Sequence, residues 1–118
     1  MTTSRRGDVL VLAVQGSLDV ITSPDLETKV QELIDGGERR LVFDLEKLDY
    51  VSSAGLRAFM VGLKQMTAAG GHIRFCSLGK PIRQVFDIAG LSFRVALYPS
   101  LEAAVENFPP PTSGPRTS

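Results

Sequence analysis

One stretch of the sequence, from Leu41 to Met66, joins a strand-like segment to a helix-like segment. The residues from Leu41 to Leu45 are mostly apolar and favour a β-strand, whereas apolar residues recur at helical spacing from Leu56 onward. The residues between them, Asp49 to Ser53, are therefore expected to form a turn. A strand that leads into a helix favours an α/β fold, and this turn ends in a pair of serines at the helix N-terminus.

The N-terminal end of a helix exposes unpaired backbone N–H groups and partial positive charge. Such an end can be capped by a serine side chain, can bind an anion or can carry a phosphoserine. The role of the second serine, Ser53, is therefore the central functional question that the sequence raises.

The rest of the chain continues the alternation of strands and helices. The predicted strands are Thr2 to Arg6, Val9 to Val14, Leu41 to Leu45, His72 to Cys76 and Arg94 to Tyr98. The predicted helices run from a cap at Ser23 to Gly36, from Ser53 to Ala69, from Pro81 to Ala89, and onward from a cap at Ser100. The second strand is apolar throughout, which is typical of a strand buried on both faces. This pattern predicts an α/β layer fold with right-handed crossovers.

The helix that follows the serine pair is expected to have one buried side. Its predicted buried residues are Leu56, Phe59, Met60, Leu63 and Met66. Arg57 and Lys64 lie on the opposite side, which Ala58, Val61 and Gly62 are expected to share. Small and apolar residues beside a basic pair would let a partner approach this side closely.

The composition limits the functional classes. With 118 residues, 43% of them hydrophobic and 22% charged, the chain suits one compact soluble domain. Lys and Arg together number 13, as do Asp and Glu, so the overall charge favours neither nucleic acid nor an anionic membrane as a partner. No apolar run approaches the roughly 20 residues that span a bilayer, and nothing marks the protein for export, so the cytoplasm is the expected compartment. The single cysteine, Cys76, is expected to be a buried strand residue.

A nucleophilic triad can be assembled from residue types alone, using Asp19, Ser53 and His72. However, Ser53 lies in SSAGL, which lacks the glycine two residues before the nucleophile that a G-x-S-x-G turn requires. His72 opens a strand, where a surface histidine is more common than a general base. The chain also lacks a G-x-x-x-x-G-K-[ST] phosphate loop and any pair of His or Cys residues at metal-ligand spacing. We therefore expect no enzyme, no cofactor and no metal, but a binding module whose surface is changed by modification.

The segment LDYVSSAGLR, from Leu48 to Arg57, resembles the STAS domain of bacterial anti-sigma factor antagonists. The resemblance extends to the strand LVFDL before it, to GSLD at 16–19 and to GGHIRFCSLGKPIRQVFDIAGL after it. It covers nearly the whole predicted folded part, roughly Val9 to Phe108, and implies a single α/β domain, residues 1–108, with a mixed four- to five-stranded sheet and interspersed helices. Residues 109–118, PPPTSGPRTS, cannot bury a core and are expected to form a disordered tail.

In this family, the serine at the start of the second helix is phosphorylated by the partner, an anti-sigma factor that is also a serine kinase. Aligned through Gly55 and Leu56, the resemblance places that serine at Ser53 and the family's loop aspartate at Asp19. The best-known members commonly have Asp where this chain has Ser52, so Ser52 is a competing target for the kinase.

The resemblance therefore implies a partner switch. The unphosphorylated domain would bind the anti-sigma factor and free a sigma factor, phosphorylation at Ser53 would release it, and a serine phosphatase would restore it. The predicted partner-binding residues are Asp19, Ser52, Ser53, Arg57, Val61 and Lys64. The alternative is an accessory or scaffold subunit of a transport ATPase or a signalling assembly, in which Ser53 only caps the helix.

Overall fold

A computed structural model describes residues 1–106 and 108. Within that part the chain forms seven strands, four α-helices and one 3-10 turn. In chain order these are β1 (Thr2–Arg6), β2 (Val9–Ala13), β3 (Gly16–Leu18), α1 (Ser23–Asp35), β4 (Arg40–Asp44), β5 (Leu48–Val51), α2 (Ser53–Ala68), β6 (His72–Cys76), α3 (Lys80–Ile88), the 3-10 turn (Leu91–Phe93), β7 (Leu97–Tyr98) and α4 (Leu101–Glu106). The predicted tail, 109–118, lies outside the described residues.

Five of the strands form the main sheet, in the order β1-β2-β4-β6-β7. β1 is antiparallel to β2, and the other neighbours are parallel to each other. The predicted mixed α/β sheet is therefore confirmed. β3 and β5 form a separate parallel pair, and β5 leads directly into α2.

The sheet is covered on both faces. On one face α1, α2 and α3 enclose the larger core, where the rings of Phe43, Phe59 and Phe75 meet at centroid distances of 5.1 to 5.3 Å. On the other face α4 packs over a smaller cluster that includes Cys76, which is buried as predicted. Because Phe59 is the α2 member of the aromatic group, it fastens the middle of α2 to the central strands.

The side of α2 that contacts α1 differs from the prediction. Ala58 and Gly62, expected on the outer side, are buried. A Cβ atom at Gly62 would lie 3.3 Å from Val30 Cγ1 of α1, so the glycine leaves just enough room for the neighbouring helix. These small residues therefore admit α1 rather than an external partner. Leu56, Met60 and Leu63, expected in the core, are only partly buried against it.

Three further expectations need correction. The predicted turn from Asp49 to Ser53 overlaps a strand, β5, whose end residues Leu48 and Val51 are buried. The first helix is not capped by the Ser23 side chain: the cap position belongs to Thr22, and Ser23 is the first helical residue. The last strand is reduced to Leu97–Tyr98, because the amides of Arg94 and Val95 donate back to the Leu91 carbonyl of the 3-10 turn. No helix in residues 1–106 and 108 is both long and apolar enough to cross a membrane.

Candidate functional site

The N-terminus of α2 is capped by Ser52. Its backbone is extended, with φ −93° and ψ 177°, and its Oγ accepts a hydrogen bond from the Gly55 amide at 3.2 Å. The Ser52 amide donates to the Leu18 carbonyl at 2.9 Å, which ties the start of the helix to the end of β3. This side chain is therefore committed to the helix end.

Ser53 is the first residue of α2 and is exposed. Its hydroxyl makes no hydrogen bond with any residue in the described part of the chain. The interpretation of Ser53 as a simple helix cap is therefore wrong, because the adjacent Ser52 takes that role. The Ser53 hydroxyl is accessible, and it lies at the helix end where backbone N–H groups favour negative charge.

Gly55 lets α2 begin in close contact with β3. A Cβ atom at this position would lie 2.7 Å from the Leu18 carbonyl oxygen and 2.8 Å from Val51 Cγ2. Only a residue without a side chain fits between them. The helix end that presents Ser53 is thus held against both strands of the small parallel pair.

Asp19 organises the loop between β3 and α1. Its carboxylate accepts hydrogen bonds from the Ile21 amide at 2.9 Å, from the Thr22 amide at 3.0 Å and from the Thr22 hydroxyl at 3.1 Å. These bonds, above all the one from the Thr22 amide, stabilise the ionised form and lower the pKa of Asp19 below its usual range. The carboxylate is therefore charged at neutral pH and acts first as the support of the loop.

The loop that Asp19 supports presents two apolar side chains that the sequence analysis did not single out. Val20 and Ile21 are 71% and 78% exposed. The sequence did contain a signal for this exposed surface, namely two consecutive large apolar residues in a tight loop just before a helix. Such a loop cannot bury both side chains. Neighbouring apolar side chains exposed in this way are typical of contact surfaces.

Ser53 lies in a shallow depression between the first turns of α1 and α2. Its lining residues are Val20, Ser23, Pro24, Glu27, Ser53, Ala54 and Arg57, and its volume is about 360 Å³. The structure thus brings two of the predicted residues, Ser53 and Arg57, into one surface, with Asp19 next in sequence to Val20. The other two predicted helix residues, Val61 and Lys64, line a groove further along α2 that also includes Arg57.

The helix end and Arg57 favour a negative group on Ser53, whereas the carboxylate of Glu27 opposes one. The first turn of α2 contains no acidic residue, so its N–H groups and positive dipole end are not compensated from within the helix. Glu27 is the carboxylate in the lining of the depression, and Arg57 is the cation. Arg57 forms no ion pair within the described residues and is therefore available to an added negative charge.

The catalytic triad considered from the sequence is not assembled. Ser53 begins α2, and His72 lies beyond its other end, at the start of β6. A helix of 16 residues is about 24 Å long, so no hydrogen bond can connect these two side chains. Among the described residues, no cluster of three or more His, Cys, Asp or Glu side chains is placed to hold a metal ion.

A family model described as STAS domain matches residues 1–104. BtrV of Bordetella bronchiseptica, assigned as an anti-sigma factor antagonist, is 35% identical over 108 residues, which are 92% of this chain and 93% of BtrV. An anti-sigma factor antagonist structure from Mycobacterium paratuberculosis has a TM-score of 0.81 at 25% identity and matches over 89% of each chain. SpoIIAA of Bacillus, solved in its phosphorylated form, has a TM-score of 0.69 at 19% identity, over 89% of this chain and 96% of its own, and so shows the same fold.

Proposed function

The chain belongs to the STAS domain family, and we propose that it acts there as an anti-sigma factor antagonist that is controlled by phosphorylation of Ser53. In its unphosphorylated form it binds an anti-sigma factor that is also a serine kinase, and this binding frees a sigma factor. Phosphorylation releases the domain, and a serine phosphatase restores it. The relative BtrV, which matches 92% of this chain, supports the antagonist role.

The observation that carries this proposal is the division of roles between the two serines. Ser52 caps α2, whereas Ser53 is exposed and its hydroxyl has no hydrogen bond within the described residues. A phosphate on Ser53 would therefore break no interaction of the folded domain. It would add about 1.5 to 2 negative charges at a helix end that tolerates them.

Release then follows from a change of surface rather than from unfolding. A partner that packs over the exposed Val20, Ile21 and Ser53 would meet a bulky, hydrated anion in place of a hydroxyl. Acidic groups of the partner near this point would add repulsion of several kcal/mol. The fold that presents the loop and α2 would remain the same in both states.

This role requires no catalysis by the domain itself. The separation of Ser53 from His72 supports a protein that is a substrate of its partner rather than a hydrolase. The balance of 13 basic and 13 acidic residues supports a protein partner rather than nucleic acid, and the proposed site of action is the cytoplasm, without membrane insertion.

A capture experiment tests the proposal. Ser53→Ala and Ser53→Asp proteins serve as baits in a lysate of the source organism, with Ser4→Asp as a control, because Ser4 is an exposed residue of the distant strand β1. We expect the Ala and control baits to retain a protein with an ATP-binding kinase domain and the Asp bait to lose it. Incubation of the captured kinase with ATP should then phosphorylate Ser53 in the native protein and in Ser52→Ala, but not in Ser53→Ala.

Two results would contradict the proposal. Retention of the same transport or scaffold subunit by all three baits would favour the accessory role, in which the state of Ser53 is irrelevant. Phosphate located by mass spectrometry on Ser52 instead of Ser53 would assign the switch to the helix cap, and the modification would then act by loosening α2.

A further inference from the structure

A groove runs along the exposed side of α2, away from the residues that pack against α1 and the sheet. Its lining includes Arg57, Met60, Val61 and Lys64 of α2, together with Arg94 from the segment after the 3-10 turn, and its volume is about 610 Å³. The α2 residues in this lining extend over about three helical turns, which corresponds to a stripe about 16 Å long. A helix of similar length in a partner could lie along it.

The charged side chains around the groove are all of one sign. Arg57, Lys64 and Arg94 are exposed, and none of them forms an ion pair with another described residue. No Asp or Glu of the described chain lines the groove. Met60 and Val61, which are half-buried, lie between the cations. An apolar floor with cationic edges is complementary to a helix whose apolar face is flanked by acidic side chains.

Arg57 belongs to two surfaces at once. It lines the groove, and it also lines the depression that contains Ser53 and Glu27. Ser53 precedes Arg57 by four residues, so the two side chains are neighbours on the same face of α2. A guanidinium can donate two parallel hydrogen bonds to a phosphate, as it can to a carboxylate. A phosphate on Ser53 and a carboxylate in the groove would therefore compete for the same cation.

We propose that the groove docks an acidic amphipathic helix of the protein partner, and that a phosphate on Ser53 weakens this docking by capturing Arg57. The inference rests on the proposed function, because it takes Ser53 as the modified residue. It adds the chemistry of the partner segment and a second route to release. Lys64 and Arg94 lie outside the Ser53 depression, so this route weakens docking without abolishing it.

Other polyanions fit this groove less well. Among the residues that the structure describes, no aromatic side chain lines it, so unpaired bases would have no lining ring on which to stack. A membrane surface would have to follow a concave groove, whereas a helix can enter one. The apolar floor gives a partner helix a contact that phosphate groups alone would not use.

The docking surface is tested with synthetic helical peptides of about 14 residues, long enough for the stripe. One peptide carries a leucine face flanked by Glu, a second replaces every Glu with Lys, and a third has the leucines shuffled. Fluorescence anisotropy measures affinity, and amide NMR shifts of labelled protein locate the bound peptide. We expect binding of the first peptide only, with the largest shifts at Met60, Val61 and Lys64.

Charge reversals assign the binding to the groove. Lys64→Glu and Arg94→Glu should each lower the affinity for the acidic peptide by about tenfold, because each places a repulsive charge at the edge of the groove. Lys47→Glu makes the same change at an exposed lysine outside the groove and should leave the affinity unchanged. Anionic vesicles and single-stranded DNA are measured in parallel, and they should bind no better to the native protein than to Lys64→Glu.

The competition for Arg57 is tested with phosphoserine that is encoded at position 53 during protein synthesis, so that no kinase is needed. With Arg57 present, the phosphate should lower the affinity for the acidic peptide about fivefold or more. In Arg57→Ala the phosphate should lower this affinity by less than about twofold. Phosphorus NMR gives an independent readout. Pairing with Arg57 should lower the second pKa of the phosphate, which is ordinarily about 6, and Arg57→Ala should raise it again while Glu27 and Asp19 remain in place.

Each part of the inference has a result that overturns it. The docking surface would be overturned if the acidic peptide did not bind, or if the Lys peptide bound equally well. It would also be overturned if Lys64→Glu weakened the binding of DNA or vesicles as much as it weakened the binding of the acidic peptide. A phosphate effect that persists in full in Arg57→Ala would show direct repulsion and overturn the coupling. If the peptide results hold while the Ser53→Ala and Ser53→Asp baits capture the same proteins, only the proposed function fails.

Discussion

Ser52 and Ser53 carry the same side chain one residue apart, yet their surroundings differ. Ser52 is half-buried and accepts the hydrogen bond from the Gly55 amide, whereas Ser53 is exposed at the first helical position. At the scale of single residues, stability is therefore expected to depend on Ser52 and partner switching on Ser53. The two roles can be separated by substitution.

Ser52→Ala should lower the free energy of unfolding by about 1 kcal/mol, because it leaves one N–H group at the start of α2 without its acceptor. Ser53→Ala should change this free energy by less than about 0.5 kcal/mol. Urea denaturation followed by circular dichroism measures both. A larger loss from Ser53→Ala than from Ser52→Ala would show that Ser53, not Ser52, stabilises the helix end in solution.

Asp19 should titrate below the usual aspartate value of about 3.9, because amide donors of Ile21 and Thr22 stabilise its carboxylate. A folded-state pKa that is lowered adds stability at neutral pH, and this stability is lost as the pH falls through the lowered pKa. Carboxyl carbon NMR measures the titration directly. The Asp19→Asn protein provides the control, since its unfolding should lack this part of the acid dependence; an unshifted Asp19 signal would contradict the hydrogen-bonded loop.

At the scale of elements, α2 is fixed where it begins and just after it ends. Gly55 lies against Leu18 and Val51 at the first turn, and a Cβ atom at Gly71, beyond the last turn, would lie 2.6 Å from the Arg39 carbonyl oxygen. Between these points, Phe59 packs against the aromatic side chains of β4 and β6. The helix therefore has little freedom to slide or tilt, and Ser53 is presented at a fixed position.

Gly55→Ala should destabilise the protein by about 1 to 3 kcal/mol, because its methyl group has no space between backbone and side-chain atoms of the small strand pair. Gly79→Ala is the matched control. Its added Cβ would have only Pro81 Cδ as a neighbour, at 3.9 Å, so we expect a loss of less than about 1 kcal/mol. Thermal unfolding of both variants measures the difference, and equal stability would mean that α2 can shift away from β3.

At the scale of the whole molecule, burial and strand pairing are greatest in the middle of the main sheet. Leu41, Val42 and Phe43 of β4 are fully buried, and β4 is paired on both sides, by β2 and β6. By contrast, every residue of the edge strand β1 is exposed, and β7 pairs with β6 over only two residues. We therefore expect the most stable part of the domain to be the centre of the main sheet, at β4, rather than either edge.

Amide hydrogen exchange should follow this arrangement. We expect the slowest exchange in β4, with β2 and β6 next, and faster exchange in β1 and β7, because local opening of an edge strand exposes less apolar surface. Mass spectrometry of peptic fragments resolves these segments. Exchange in β1 as slow as in β4 would indicate that another chain covers this edge in solution.

Much of the fold could be predicted from local sequence patterns. The apolar run of β2 and the apolar spacing and glycine ends of α1 and α2 gave these elements nearly correctly. The pairing of β3 with β5 could not be predicted, because each strand has only three or four residues and gains its partner from a distant part of the chain. The wrong prediction for the outer side of α2 has a similar cause. Ala58 and Gly62 are small residues that are compatible with an exposed helix face, and only the packing of α1 against them makes them buried.

The candidate site was predicted in part. The serine pair, Asp19 and the basic residues of α2 stood out as residue types at a helix start or in a recognisable pattern. The assignment of the cap to Ser52 was not available from sequence, because helix boundaries are uncertain by a residue or two. The apolar pair Val20 and Ile21 had a signal in the loop sequence that was not used, whereas the contribution of Arg94 to the groove required the spatial arrangement of two separate segments.

The different surroundings of the two serines have a consequence for genetics. Under the proposed function, a substitution at Ser53 would leave a fully folded protein at its normal cellular abundance but fixed in one signalling state, so it would behave as a gain-of-function or an always-off allele. A substitution at Ser52 or Gly55 would instead reduce the amount of folded protein and behave as a partial deletion. A saturation screen that scores abundance and signalling separately would sort adjacent codons into opposite classes.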